Sequence, residues 1–178
     1  SKADVYHVAI KDQLAPYGID KEGIEPNENF TLEMIIKPSG MQAANSMLLA
    51  NLTRFDVYKG VLLQSVGNAN QYLFGVGTGG GNMPTTAFVL EENKWHYLAI
   101  TVTKDLINIY DNGKLIANAN PGGAKFVNSS MPMTIGNSPE HKSNFKGLIR
   151  EVKIANGTTS ETEILANAAK VNEQLAGK

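Results

Sequence analysis

The sequence consists of short runs of aliphatic, aromatic and β-branched residues, which Gly, Asn, Pro and Ser interrupt roughly every 8 to 12 residues. This spacing limits the possible folds more than any other feature of the sequence. In residues 30–37, FTLEMIIK, every second side chain is apolar, which predicts a strand with one buried face. Residues 96–102 are apolar on both faces, which is typical of a central strand. Asn112-Gly113 predicts a type I′ hairpin turn, because both turn residues need a positive φ. The runs predict roughly ten strands in two stacked sheets, at residues 30–37, 47–51, 57–65, 71–77, 85–89, 96–103, 106–110, 114–117, 133–137 and 148–155.

The C-terminal segment has the period of a helix. Its apolar residues recur at intervals of three and four between residues 164 and 171, and Ser160 with Glu163 forms a capping box in front of them. We therefore expect one amphipathic helix over about residues 161–172, packed on the sandwich from outside. A length of 178 residues predicts a single domain over residues 1–178, with an N-terminal strand over about residues 4–12.

Charge and composition exclude several classes of function. Lys and Arg total 16 against 17 Asp and Glu, so a net charge of −1 gives no general attraction to nucleic acid. No run of about 18 apolar residues occurs, so no transmembrane segment is expected. The absence of cysteine excludes disulfides and thiolate zinc sites. Because the chain begins at Ser1 with neither Met nor an apolar leader, we expect a secreted product whose leader has been removed.

Five motifs stand in a fixed order: FTLEMIIKP, KWHYLAIT, IYDNGKLI, MTIGN and FKGLIREVKI. Together they resemble the laminin-G-like domains of the concanavalin A-like lectin and glucanase superfamily, most closely the bacterial type found in surface and secreted proteins. The resemblance covers roughly residues 29–169. It implies an all-β fold, a concanavalin A-like jelly-roll sandwich of two antiparallel sheets with one C-terminal peripheral helix, and an extracellular or cell-envelope location. It does not imply one function, because the superfamily hosts lectins, glycan hydrolases, adhesion modules and spacers.

Calcium is the one cofactor that the resemblance leaves open, since many family members hold it as a structural ion. The family often has an acidic residue two or three places after the F-x-G of the last motif, where this chain has Ile149-Arg150 before Glu151. That departure speaks against a calcium site of the family type. A calcium ion needs six to eight oxygen ligands, which only the fold could gather from aspartates scattered singly along the chain. These are Asp4, Asp12, Asp20, Asp56, Asp105 and Asp111.

A glycan hydrolase of this fold would need two carboxylates facing each other across the sugar. The E-x-D-x-x-E string of the superfamily's retaining glucanases is absent. Glu33 and Glu151 could meet if their strands pair, as they do in the family. Lys37, Arg150 and Lys153 lie on the same two strands, however, so the sequence favours a solvated charge ladder over a catalytic pair.

A sugar site needs an exposed aromatic face with amide and carboxylate groups around it. Arg54, Asp56 and Tyr58 cluster where one predicted strand ends and the next begins, and Asn70 and Tyr72 lie around the following turn. We predict that these five residues share one ligand-binding rim on two adjacent strands. The alternative is that the asparagines only form turns and the tyrosines only cover sheet edges.

The resemblance places Trp95 at the family's core tryptophan position, so we expect it to be buried and not to stack on a ligand. These features together predict a non-catalytic, lectin-like recognition module for carbohydrate (glycan), with other domains of a larger surface protein as further partners. The alternatives are a glycan hydrolase of the same fold and a protein-interaction or adhesion spacer module.

Overall fold

The computed structural model describes residues 5–14, 18–52, 58–81 and 83–176. Within them the chain forms twelve strands and one helix. Their bounds are β1 Val5–Leu14, β2 Ile19–Lys21, β3 Phe30–Pro38, β4 Met47–Ala50, β5 Val61–Ser65, β6 Gln71–Val76, β7 Thr85–Val89, β8 His96–Val102, β9 Ile107–Asp111, β10 Lys114–Ala119, β11 Met133–Ile135, β12 Gly147–Asn156 and α1 Glu161–Leu175.

The strands form two six-stranded sheets in which every neighbouring pair is antiparallel. The first sheet has the order β1-β12-β3-β8-β9-β10, and the second has the order β2-β11-β4-β5-β6-β7. All seven residues of β8 are buried, as expected for a strand between β3 and β9. The predicted all-β sandwich of two antiparallel sheets is confirmed.

The main core lies between the two sheets and follows the period-two pattern of the sequence. On β3, Phe30, Leu32, Met34 and Ile36 point into it, each at most 1% exposed. Phe126, from the long connection between β10 and β11, packs against Phe30 with ring centroids 4.9 Å apart. Burial of each such side chain contributes about 1.5–3 kcal/mol, so the alternation of residues 30–36 is a main determinant of this layer.

The helix α1 covers the outer face of the first sheet. Ser160 begins it as N-cap, because its Oγ accepts a hydrogen bond of 3.2 Å from the Glu163 N–H. Ile164 and Ala168 are buried against Ile35, Tyr97, Ala99 and Tyr110 in a second apolar cluster. The predicted helix is therefore confirmed, and it runs three residues beyond the expected end at residue 172.

Local turn chemistry is also as predicted, while two strand predictions need correction. Asn112 and Gly113 have φ values of 52° and 88° between β9 and β10, which confirms the hairpin turn. The strand expected over residues 57–65 begins only at Val61. β2 was not predicted, because three residues are too short to show a period, and it forms by pairing with β11.

Trp95 does not lie in the main core, so that expectation is wrong. Its side chain is half-buried and packs against the apolar cluster beneath α1. The Arg150 guanidinium lies over its ring, 5.2 Å from the centroid, in a cation–π contact. The indole thus supports the outer layer and is covered by a neighbouring side chain.

Candidate functional site

Of the five predicted rim residues, the structure describes Tyr58, Asn70 and Tyr72, and it does not bring Tyr58 together with the other two. β5 and β6 form a hairpin in which Val61 pairs with Val76 and Ser65 pairs with Tyr72. The Tyr58 carbonyl accepts a hydrogen bond of 3.1 Å from the Gly79 N–H, beyond the far end of β6. Asn70 lies in the turn at the other end, about 20 Å away at roughly 3.3 Å per strand residue. For Tyr58, Asn70 and Tyr72 the prediction of one shared rim is wrong, because the residues before β5 and the β5–β6 turn lie at opposite ends of the sheet.

Two of the five residues have clear structural roles at the hairpin turn. Tyr72 is 1% exposed and stacks on Phe88 with ring centroids 5.9 Å apart, so its ring cannot meet a sugar. Burial also raises the pKa of the Tyr72 hydroxyl, with the charge of Glu92 adding to the effect. Asn70 adopts a left-handed φ of 58°, and its carbonyl accepts a hydrogen bond from the Leu90 N–H. The stacking role predicted for Tyr72 is therefore wrong.

The other three predicted residues belong to the connection between β4 and β5. Arg54 and Asp56 lie outside the described residues. Tyr58 is half-buried with a φ of 31°, a value that few non-glycine residues adopt. The connection returns to the sheet at Gly60, whose N–H donates to the Val127 carbonyl at 2.8 Å. This hydrogen bond places the return of the connection beside the residues that line the cleft described next.

A polar cleft of about 610 Å3 opens at this end of the sandwich. We call it the loop-end cleft; it is lined by residues 21–27, residues 128–132 and Asn156. Residues 22–29 connect β2 to β3, and residues 120–132 connect β10 to β11. The cleft therefore lies between two loops that each cross from one sheet to the other, and such loops are a usual place for a ligand site on a rigid scaffold.

Asparagine side chains hold these loops in place. Asn51, which is 0% exposed, donates from Nδ2 to Asn128 Oδ1 at 3.0 Å, and its Oδ1 accepts from the Val61 N–H at 2.8 Å. Asn128 Nδ2 donates to the Ile24 carbonyl at 3.3 Å. Asn156 Oδ1 accepts from the Asn27 N–H at 2.9 Å. These hydrogen bonds connect both loops to β4, β5 and β12, so the cleft is formed without a ligand.

The lining of the loop-end cleft suits a ligand with many hydroxyl groups. Amide and hydroxyl groups can donate to or accept from a sugar hydroxyl, and a carboxylate can accept from one. Apolar side chains between them can contact the C–H faces of a ring. Lys21 with Glu22 and Glu25 supplies charges of both signs, so no single sign dominates. The polar side chains are Asn27, Asn128, Asn156, Ser129 and Ser130, the partly exposed apolar ones are Met131 and Pro132, and Ile24 and Pro26 are buried beneath them.

Sequence reasoning missed the loop-end cleft. The segments GIEPNEN and NSSMP are rich in the polar and turn-forming residues of a surface loop, and that signal was available. The two segments are about a hundred residues apart in the chain, however, and only the strand order brings them together. Among the described residues of the predicted rim, Tyr58 lies on the connection that returns to the sheet beside the cleft.

A second, smaller cleft of about 190 Å3 lies between α1 and the first sheet. Glu33 and Glu151 both line it, as the pairing of β3 with β12 allows. The buried Glu33 carboxylate accepts from the Tyr97 hydroxyl and lies 3.6 Å from Lys153 Nζ. Glu151 pairs with His7 Nε2 at 2.7 Å. Partners therefore hold both carboxylates, and Glu33 is buried where a solvated ladder was expected.

The aspartates considered as calcium ligands lie beside local partners where the structure describes them. No group of three or more His, Asp or Glu side chains among them is arranged to hold a metal ion. Asp20 accepts from Thr134 Oγ1 at 2.8 Å and pairs with His141 Nε2 at 2.9 Å, and the His141 hydrogen bond lowers the pKa of Asp20. Asp105 pairs with Lys104, and Asp111 pairs with His96. These carboxylates serve local structure.

Two facing antiparallel sheets, a helix on the outside and a polar cleft between loops at one end define a sandwich of the jelly-roll class. Comparison with known families agrees, because residues 15–165 match the family profile described as the concanavalin A-like lectin/glucanases superfamily. The chain belongs to that superfamily. Among its described residues, no helix combines the length and the apolar character needed to cross a membrane.

One curated relative is the Adhesion G-protein coupled receptor V1 of Danio rerio, 27% identical over 146 residues. The match takes in 76% of this chain and 2% of the receptor. Two similar solved structures are binding domains of botulinum neurotoxin DC, one in complex with SialylT and one with rat synaptotagmin II. They are 17% and 16% identical with TM-scores of 0.68 and 0.66, and each match covers 94% of this chain and 46% of the other. At that identity the likeness shows the fold alone.

Proposed function

We propose that this chain is a non-catalytic recognition module that binds carbohydrate in the loop-end cleft. The observation that carries the proposal is the cleft itself, about 610 Å3 in volume and lined by three asparagines, two serines and two glutamates beside proline and methionine. Its volume lies within the range of roughly 300–1,000 Å3 found for small-ligand sites. A lining so rich in polar groups favours a polyhydroxylated ligand over an apolar one.

Hydrogen bonds within the protein fix the shape of the loop-end cleft before a ligand binds. Asn51 and Asn128 connect the floor of the cleft to β4 and β5, and the Asn27–Asn156 hydrogen bond connects its wall to β12. A preformed site loses little conformational entropy on binding, which favours affinity. The solvent-exposed mouth and the small apolar area predict weak binding by one site, so avidity from several copies or from neighbouring domains would strengthen it.

The comparisons support a recognition role. The superfamily description names lectins, and a similar solved binding domain is in complex with SialylT. The curated relative is an adhesion receptor of which this chain matches 2%, which fits a module joined to other domains of a larger surface protein. An extracellular or cell-envelope location is part of the proposal, because surface glycans are found there.

A glycan array tests the proposal, with the chain presented in multivalent form to plant, algal and host glycans. Binding to at least one class is expected, followed by titration of the free glycan against the monomer. No signal for any glycan, together with no binding at millimolar sugar, would refute carbohydrate recognition and favour a protein-interaction or spacer module.

Matched variants test the place of the site. Ser130→Arg fills the loop-end cleft from an exposed position, and Glu22→Ala removes a carboxylate at its edge. Ser130→Arg is expected to weaken binding by at least about tenfold, which is a difference of about 1.4 kcal/mol. Glu140→Ala, an exposed change in the connection from β11 to β12, serves as the control and should leave the affinity unchanged. Unchanged binding by Ser130→Arg would show that the ligand lies elsewhere.

A further inference from the structure

The edges of the two sheets differ in how they are protected. Within the described part of the chain, β1 and β10 are the edges of the first sheet, and β2 and β7 are the edges of the second. An edge strand presents unpaired N–H and C=O groups to which another strand can add. Natural proteins prevent such addition with short edge strands, charged side chains and irregular pairing.

Three of the four edges carry such protection. β2 is only three residues long and includes Asp20 and Lys21. The pairing of β1 with β12 is irregular, because it shifts register between Ala9 and Gln13. β10 begins with a charged lysine, and its pairing with β9 also shifts register within the strand.

β7 has none of these features. Its sequence, TTAFV, contains no charged residue and no proline, and all five residues pair with β6 without a register shift. Thr85, Ala87 and Val89 point outward and are exposed, Val89 by 58%. Thr86 and Phe88 point into the core, and Thr86 Oγ1 donates to the Asn118 carbonyl of β10 at 3.4 Å. β7 is therefore regularly paired, hydrogen-bonded to β10 through Thr86 and uncharged along its exposed face.

We propose that a second copy of this chain adds to β7 in antiparallel orientation, so that the two second sheets form one continuous twelve-stranded sheet. A two-fold axis through the middle of β7 places Ala87 opposite Ala87 of the other copy. It also places Thr85 opposite Val89, a pairing of β-branched residues that suits a sheet. No like charges meet across the axis, and the same patch serves both copies, as a two-fold contact requires.

The chemistry of β7 selects a second copy as its partner. The added strand must be uncharged, regular and about five residues long, and among the described edges β7 alone has these properties. The contact is one strand wide, so the association depends on protein concentration. The dimer carries two loop-end clefts. The proposal of a dimer does not depend on what those clefts bind.

Sedimentation equilibrium over micromolar to millimolar protein tests the proposal. The wild-type chain is expected to change from monomer to dimer as concentration rises. Ala87→Lys and Ala87→Glu should each remain monomeric, since each places two like charges face to face at the two-fold axis. Leu165→Lys adds the same charge at a 59% exposed site on α1, away from β7, and should dimerise as the wild type does.

Mixing gives the decisive measurement. An equimolar mixture of Ala87→Lys and Ala87→Glu is expected to dimerise again, because opposite charges then face each other across the axis. A wild-type chain that stays monomeric at millimolar concentration overturns the proposal. Dimerisation of Ala87→Lys alone, or a mixture that stays monomeric, overturns it as well. Thermal unfolding of each variant confirms that the chain is folded, and the exposed position of Ala87 keeps the fold tolerant of the change.

Discussion

Replacing His96 by glutamine is expected to remove a pH-dependent part of the stability of this domain. His96 is 3% exposed at the start of β8. Its Nδ1 lies 2.9 and 3.0 Å from the two Asp111 carboxylate oxygens, and its Nε2 lies 2.7 Å from the Glu91 carbonyl. Both partners can only accept hydrogen bonds, so the geometry requires two ring N–H donors and hence the positively charged imidazolium.

The direction of the pH effect follows from the pKa of His96. Burial is the largest influence and favours the neutral ring, but the hydrogen bond and charge of Asp111, with the Glu91 carbonyl, outweigh it and raise the pKa. The folded chain then holds this proton more tightly than the unfolded chain, in which the pKa is about 6.5. The stabilisation is therefore complete below about pH 6.5 and is lost as pH rises through the folded-state pKa.

The size of the effect follows from charge-assisted hydrogen bonds, which contribute about 1.5–3 kcal/mol when the donor is ionised. Urea unfolding should show His96→Gln to be less stable than the wild type by about that amount at pH 6. At alkaline pH the two free energies of unfolding should converge, because the wild-type ring loses its charge there while glutamine does not titrate. A difference that stays constant or grows as pH rises would refute the assignment of the charged ring.

Three further changes probe the core, the site and a turn. Ile164→Ala empties a fully buried position between α1 and the first sheet and should lower the free energy of unfolding by about 2–5 kcal/mol in urea titration. Asn51→Ala leaves the Val61 N–H and Asn128 Oδ1 without their partner, so thermal unfolding should show a loss of about 1–3 kcal/mol and glycan titration a weaker affinity. Gly113→Ala forces a side chain into a φ of 88°, with its Cβ 2.9 Å from Leu165 Cδ1, and calorimetry should show about 1–2 kcal/mol of destabilisation.

Contradicting outcomes are specific to each change. An unaltered unfolding curve for Ile164→Ala would mean that α1 contributes little to the cooperative unit. Full ligand affinity for a folded Asn51→Ala would separate the glycan site from the loop-end cleft. An unchanged free energy of unfolding for Gly113→Ala would mean that the hairpin turn accommodates the added methyl group without strain.

Elements whose signal lies within a few consecutive residues could be predicted. The alternation in residues 30–37, the Asn112-Gly113 turn and the Ser160 N-cap each depend on sterics and hydrogen bonds between near neighbours in sequence. β2 could not be predicted, because three residues show no period and its partner strand lies more than a hundred residues away. The prediction that Trp95 lies in the core was wrong for a related reason, because its neighbours come from the cluster beneath α1 and from Arg150 on β12.

The candidate site shows the same division. Tyr58 and Tyr72 are close in sequence and chemically suited to a sugar, but their places follow from the direction of β5 and β6. Tyr58 lies at the end of the sandwich that carries the loop-end cleft, whereas Tyr72 is buried at the opposite end and stacks on Phe88. The loop-end cleft depends on Asn51 meeting Asn128, two residues whose contact no local pattern indicates.

The order of the amino acids predicts a cysteine-free, nearly neutral sandwich of two antiparallel sheets followed by a capped helix. The hydrophobic period, the turn chemistry and the charge depend on residues that are close in sequence, so they can be identified without the folded structure. The folded structure adds which loops form a cleft, which tyrosine is buried and which edge strand carries no charge. Those outcomes depend on strand order and direction, which the chain settles through the collective burial of its core.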